Sequence, residues 1–118
     1  MPITTCVFDA YGTLFDVAAA ARLAAAEPDC RAIKDDWPKL AEHWRLKQLQ
    51  YSWLRALADA HTDFWEVTQN GLDWALEKMG HADDLALRER LLALYWELQA
   101  YKEVPEMLTR LKVGGMNT

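Results

Sequence analysis

Residues 7–16 read VFDAYGTLFD, and this short run contains the parts of a carboxylate nucleophile. The apolar, β-branched residues 3–8 predict a short buried strand that runs straight into Asp9. Open parallel sheets collect their reactive groups at the carboxyl ends of strands, which is where Asp9 stands. Gly12 lets the backbone turn tightly and approach a ligand. The Thr13 hydroxyl is spaced to bond the Asp9 carboxylate or a bound anion, and the amides of Ala10 and Tyr11 can face negative charge as an anion-binding nest does. Asp-x-x-Gly-Thr alone would serve equally as a strand-ending turn. The full run is more specific than a turn and makes Asp9 the candidate nucleophile.

Nearly everything after this loop reads as helix. Asp16 is expected to cap an alanine-rich helix that Pro28 ends. Asp36, with Trp37 and Pro38 in the first turn, opens a long helix to about Ala58. Its apolar residues fall on two faces. Leu40, Trp44, Tyr51, Leu54 and Ala58 share one; Leu46, Leu49, Trp53 and Leu57 share the other, with Arg45 at its edge. A helix with two apolar faces must be covered on both, by its own bundle on one side and by a cavity or a second subunit on the other. Asp63 and Glu66 form a capping-box-like start for the next helix, which buries Phe64, Val67, Leu72, Ala75, Leu76 and Met79. Asp83 or Asp84 caps a fourth, with Leu87, Leu91, Leu94, Tyr95 and Leu98 inward, and Val104-Pro105 begins a fifth. The last residues read as the start of another strand. Residues 3–8 are therefore expected to lack a strand partner, as in the N-terminal part of a longer α/β protein.

The bulk composition narrows the partners. The chain has 118 residues, 52% hydrophobic and 26% charged, with a net charge of −5. That is enough to bury a core, and no basic cluster argues for nucleic acid. No apolar run of the ~18 residues needed to span a membrane occurs, and the N-terminus has no signal-peptide pattern. Cys6 and Cys30 have neither metal-site nor disulfide-frame spacing, so they read as free thiols in a reducing cytoplasm. His43, His61 and His81 are dispersed and suit solvated or capping roles better than metal ligation. Trp44, Trp53, Trp74 and Trp96 sit at helical spacing as core or interface residues.

The run at residues 7–16 resembles motif I of the haloacid dehalogenase superfamily, usually Asp-x-Asp-Gly-Thr followed by an apolar pair and Asp. Phosphatases of that superfamily carry a second aspartate two residues after the nucleophile, which protonates the leaving alkoxide, and they hold magnesium. Here that position is Tyr11, and a phenol is a poor proton donor at neutral pH. Halide leaves without a proton, so Tyr11 favours carbon–halogen cleavage over phosphoryl transfer. Residues 43–57 resemble the cap helix of L-2-haloacid dehalogenases, and residues 103–112 resemble the stretch before that family's second strand.

The resemblance implies an α/β fold: a Rossmann-like core, present as its first strand and the start of a second βα unit, with an inserted helical-bundle cap. Residues 1–16 would be the first strand and nucleophile loop, 17–100 the cap, and 101–118 the return to the core. It implies hydrolysis of (S)-2-haloalkanoic acids to (R)-2-hydroxy acids through an ester on Asp9, with neither metal nor cofactor. Asp9, Thr13 and Arg45 would be catalytic. Ala10, Tyr11, Arg45, Leu46, Leu49 and Phe64 would contact the substrate, and cap helices would join a cytoplasmic homodimer. The family's further serine, lysine and aspartate would lie beyond Thr118, leaving the chain alone inactive. Two alternatives are a non-catalytic helical dimerisation module using the Leu46, Leu49, Trp53 and Leu57 face, and a magnesium-dependent phosphatase of the same superfamily.

Overall fold

The computed structural model describes residues 1–118, which divide into two compact units. One comprises Met1–Val17 with Leu98–Thr118, the other Ala18–Glu97.

The Ala18–Glu97 unit is wholly helical. It contains α1 (Ala19–Ala25), a 3-10 segment (Pro28–Ile33), α2 (Trp37–Leu57), α3 (Phe64–Lys78) and α4 (Leu85–Trp96). Four buried alanines, Ala19, Ala20, Ala21 and Ala24, give α1 a smooth face on which α4 and the 3-10 segment pack. The expected cap from Asp16 is absent: α1 begins at Ala19, and its N-cap is Ala18 without a side-chain bond. Asp16 instead donates its backbone N–H to the Gln99 carbonyl at 2.8 Å. Asp63 and Asp84 do cap their helices, accepting from Glu66 N at 2.8 Å and Leu87 N at 3.0 Å. These side chains satisfy amides that a helix start leaves unpaired.

Helices α2 and α3 pack along one another and carry the centre of the core. Leu40 and Trp44 of α2 are buried as expected, but the next inward position is the polar Gln48, not an apolar residue. Beyond it the inner stripe leaves the bundle, so Leu54 and Ala58 are exposed. On α3 the buried set is Val67, Thr68, Gly71, Leu72, Ala75 and Leu76. Phe64 and Met79, expected inside, lie at the two ends of the helix and are half-buried. Leu94 on α4 and Leu98 are likewise half-buried, whereas Leu92 joins Leu87, Leu91 and Tyr95 in the core. Gly71 sets the helix spacing: a Cβ there would stand 3.1 Å from Gln48 N and 3.4 Å from the Trp44 carbonyl, both backbone atoms that cannot swing aside. Trp44 Nε1 donates to the Thr68 carbonyl at 2.9 Å, and its ring lies 5.0 Å from that of Tyr95, which ties α4 to the pair. Across the surface Arg90 bonds Glu27 and holds its carboxyl below the usual range.

The other unit is held mainly by backbone bonds. Residues 3–8 are not without a partner: Thr5 pairs in parallel with Asn117, through Cys6 N to Asn117 O at 2.8 Å and Asn117 N to Thr4 O at 2.9 Å. This is a single bridge rather than a strand, and Ile3 and Val7 are 81% and 93% exposed, not buried. A parallel strand is buried only when neighbouring strands and helices cover both its faces, and here one residue's worth of pairing is all that flanks it. Helix α5 (Val104–Val113) follows a Val-Pro start and buries Val104.

Leu72→Ala is expected to cost about 2–5 kcal/mol in urea unfolding, whereas Leu57→Ala, at an exposed position, should change stability by less than about 0.5 kcal/mol. Gly71→Ala should destabilise by about 1–3 kcal/mol, because the methyl group meets the backbone of α2 at Gln48 and Trp44; an unchanged midpoint would show that α2 can move away from α3.

Candidate functional site

The loop after Phe8 folds back on itself. The Ala10 carbonyl accepts the N–H groups of Leu14 at 2.9 Å and Phe15 at 3.0 Å, and the Gly12 N–H returns to the Phe15 carbonyl at 2.9 Å. This double closure requires a left-handed residue at its turn, and Gly12 has φ of +90°. The Tyr11 and Phe15 rings meet at 6.3 Å between centroids. Phe15 pairs with Ala100, and the Tyr101 N–H bonds the Leu14 carbonyl at 3.0 Å, so the segment before α5 holds the loop's far side.

Asp9 lies exposed at the mouth of this loop. The Thr13 hydroxyl donates to its Oδ2 at 2.9 Å, the contact that the spacing of the two residues suggested. That bond holds the carboxylate in one rotamer and engages one oxygen. Four of the expected residues, Asp9, Ala10, Tyr11 and Thr13, are thus neighbours in one turn.

The remaining four belong to the helical unit. Arg45, Leu46 and Leu49 lie within little more than one turn of α2. Arg45 is half-buried and donates from Nη1 to Gln48 Oε1 at 2.8 Å. Leu46 is exposed and Leu49 half-buried. Phe64 begins α3 beside a small cavity of about 40 Å³ that Ser52, Arg55, His61, Thr62 and Val67 also line. Gln48 and Thr68, both buried, are polar residues that the sequence reading passed over. The available signal was a glutamine one turn after Trp44 and two after Leu40, on the inward stripe of α2.

No group of three or more His, Cys, Asp or Glu side chains stands together to hold a metal. His81 Nε2 lies 3.6 Å from Asp36 Oδ2, and His43 packs edge-on against Trp74. Both cysteines are free, and burial, followed by the charge of Glu27, pushes the Cys30 thiol up. No helix is long and apolar enough to cross a membrane.

No family model matches the sequence. Individual proteins do. Over 117 residues the chain is 43% identical to (S)-2-haloacid dehalogenase 1 of Pseudomonas sp. strain CBS-3, a match covering 99% of this chain and 49% of that protein. Among solved structures, a dehalogenase superposes with a TM-score of 0.87 at 38% identity, over 97% of this chain and 48% of the other. The L-2-haloacid dehalogenase of Xanthobacter autotrophicus with chloropropionic acid covalently bound gives a TM-score of 0.77 at 34% identity, over 98% of this chain and 44% of the other. The chain spans about half the length of the curated relatives it matches.

Gly12→Ala is expected to cost about 1–2 kcal/mol, because a Cβ at φ of +90° is strained. Amide exchange at Leu14 and Phe15 should accelerate with it, while exchange in α2 and α3 stays unchanged; equal acceleration in both would show that the loop is not a local unit.

Proposed function

Since the chain belongs to the L-2-haloacid dehalogenase branch of the haloacid dehalogenase superfamily, we propose that it supplies the nucleophile half of an enzyme that hydrolyses (S)-2-haloalkanoic acids to (R)-2-hydroxy acids. The observation that carries this reading is the Asp9 carboxylate, exposed at the mouth of a closed loop and held through Oδ2 by Thr13. With Oδ2 engaged, Oδ1 attacks C2 of the substrate from the side opposite the halogen. The C2–halogen bond breaks, its electron pair leaves with the halide, and the centre inverts as an aspartyl ester forms. Water then adds to the ester carbonyl of Asp9. The bond from that carbonyl carbon to Oδ1 breaks, so Oδ1 leaves as the hydroxyl of the product with one proton of the water, the other proton passes to solvent, and the water oxygen restores the carboxylate.

Arg45 stabilises the departing halide, and the amides of Ala10 and Tyr11 hold the substrate carboxylate. Leu46, Leu49 and Phe64 line the apolar part of the pocket. The fold that goes with this reading is a Rossmann-like core, residues 1–16 and 101–118, with residues 17–100 as an inserted helical cap. The parallel pairing of Thr5 with Asn117 supports such a core, since parallel strands require a crossover between them. The exposed apolar side chains on α2, Leu46, Trp53, Leu54 and Leu57, support a homodimer joined through cap helices. We place the enzyme in the cytoplasm, in keeping with two unpaired thiols.

The direct test is halide release from (S)-2-chloropropionate, by the 118-residue chain and by the same chain completed with the remaining residues of the Pseudomonas sp. strain CBS-3 relative. The completed protein should release chloride with formation of (R)-lactate. Asp9→Asn should abolish release, and Arg45→Lys should lower kcat by about 100-fold, as loss of a positioned charge at the transition state does. A folded, completed protein that releases no halide would overturn the reading.

A further inference from the structure

Arg45 stands at the end of a chain of hydrogen bonds that begins on a different helix. The Thr68 hydroxyl donates to the Phe64 carbonyl at 2.7 Å, one turn back along α3. Its single proton is committed there, so Thr68 Oγ1 can only accept from Gln48, and Gln48 Nε2 donates to it at 2.8 Å. The same Nε2 reaches the Tyr95 hydroxyl at 2.8 Å. With its NH2 group turned to these two hydroxyls, the amide leaves Oε1 facing Arg45, whose Nη1 donates to it at 2.8 Å. A reversed amide would set its NH2 against a guanidinium, donor against donor, and would leave the Thr68 oxygen without the proton it receives.

We propose that Gln48 and Thr68 are positioning residues for Arg45, forming a one-way relay from the start of α3 that holds the guanidinium through Nη1. The proposal rests on the reading of Arg45 as the halide partner. Both relay members are sealed from water, Gln48 at 1% exposure and Thr68 at 0%, so no solvent molecule competes for their bonds. A charge that stabilises a leaving halide is effective to the extent that it is in place before the bond breaks. A long arginine side chain on a helix surface otherwise samples many rotamers, and the bond from Nη1 to Gln48 Oε1 narrows that choice. The relay also begins at the backbone of Phe64, so a pocket residue on α3 and the cation on α2 are held in one hydrogen-bonded chain.

Thr68→Val removes the hydroxyl with little change of shape, Thr68→Ser restores it, and Gln48→Leu removes the acceptor. The first readout uses the 118-residue chain alone: the nitrogen-15 signals of the Arg45 guanidinium. They should be alike in the unsubstituted chain and in Thr68→Ser, and the Nη1 signal should shift or broaden in Thr68→Val and Gln48→Leu, where its bond to Oε1 is weakened or lost. The second readout uses the completed protein described above. There Thr68→Val and Gln48→Leu should lower kcat by about tenfold or more with KM changed less than about twofold, and Thr68→Ser should recover most of the loss. If Gln48→Leu fails to fold, the Thr68→Val and Thr68→Ser pair decides. Unchanged kcat in the folded variants, with Arg45→Ala inactive, would overturn the relay while the dehalogenase reading stands. Absence of halide release from the unsubstituted completed protein would instead count against that reading. The nitrogen-15 signals then decide the relay alone, and unchanged signals in Gln48→Leu would overturn it.

Discussion

At 1% exposure the Gln48 amide carries two N–H donors and a carbonyl acceptor into a space that water does not reach, so each has to find a partner in the protein. An unpaired buried polar group costs about 1–3 kcal/mol, a large share of the stability of a small domain. The partners come from its own helix, from α3 and from α4, through Arg45, Thr68 and Tyr95. Apolar burial of Leu40, Leu72, Leu87 and Leu91 supplies most of the driving force for assembling these helices, but it is non-directional. The amide adds direction: it is satisfied only when α2, α3 and α4 stand in one register. Gly71 permits the close approach that this register needs, and Trp44 reinforces it by bonding the Thr68 backbone and packing its ring, tilted, against Tyr95.

The two units are held by different means. In the helical unit, core side chains and a satisfied polar cluster act together. In the unit of Met1–Val17 and Leu98–Thr118, Val104 is the one buried residue, and the loop that carries Asp9 owes its shape to backbone bonds closing on Ala10 and Phe15. Few buried contacts and solvent-facing backbone bonds characterise the parts of a protein that open most easily. A loop built this way depends on what its flanking segments pair with, and here those are Gln99 to Tyr101 and Asn117.

Asp9, Gly12 and Thr13 were legible in the sequence because their chemistry is local. A carboxylate, a residue free to take positive φ and a hydroxyl four positions on are enough to define the turn and its hydrogen bond. The caps at Asp63 and Asp84 were legible for the same reason, since each bonds an amide three residues away. Two faces on α2 could be counted from spacing, but how far along the helix each stays covered could not. Leu54 and Ala58 share the angular position of Leu40, yet Leu40 is buried and they are exposed. Tertiary structure alone decided that Gln48 is buried, that its amide faces Arg45, that Gly71 is a contact point and that Asn117 pairs beside Thr5. Each of these depends on residues brought together across long stretches of chain, such as the 20 positions between Gln48 and Thr68 and the 47 between Gln48 and Tyr95. Local spacing specifies what a turn or a cap can do, whereas the environment of a polar side chain on a helix is set by whichever helix packs against it.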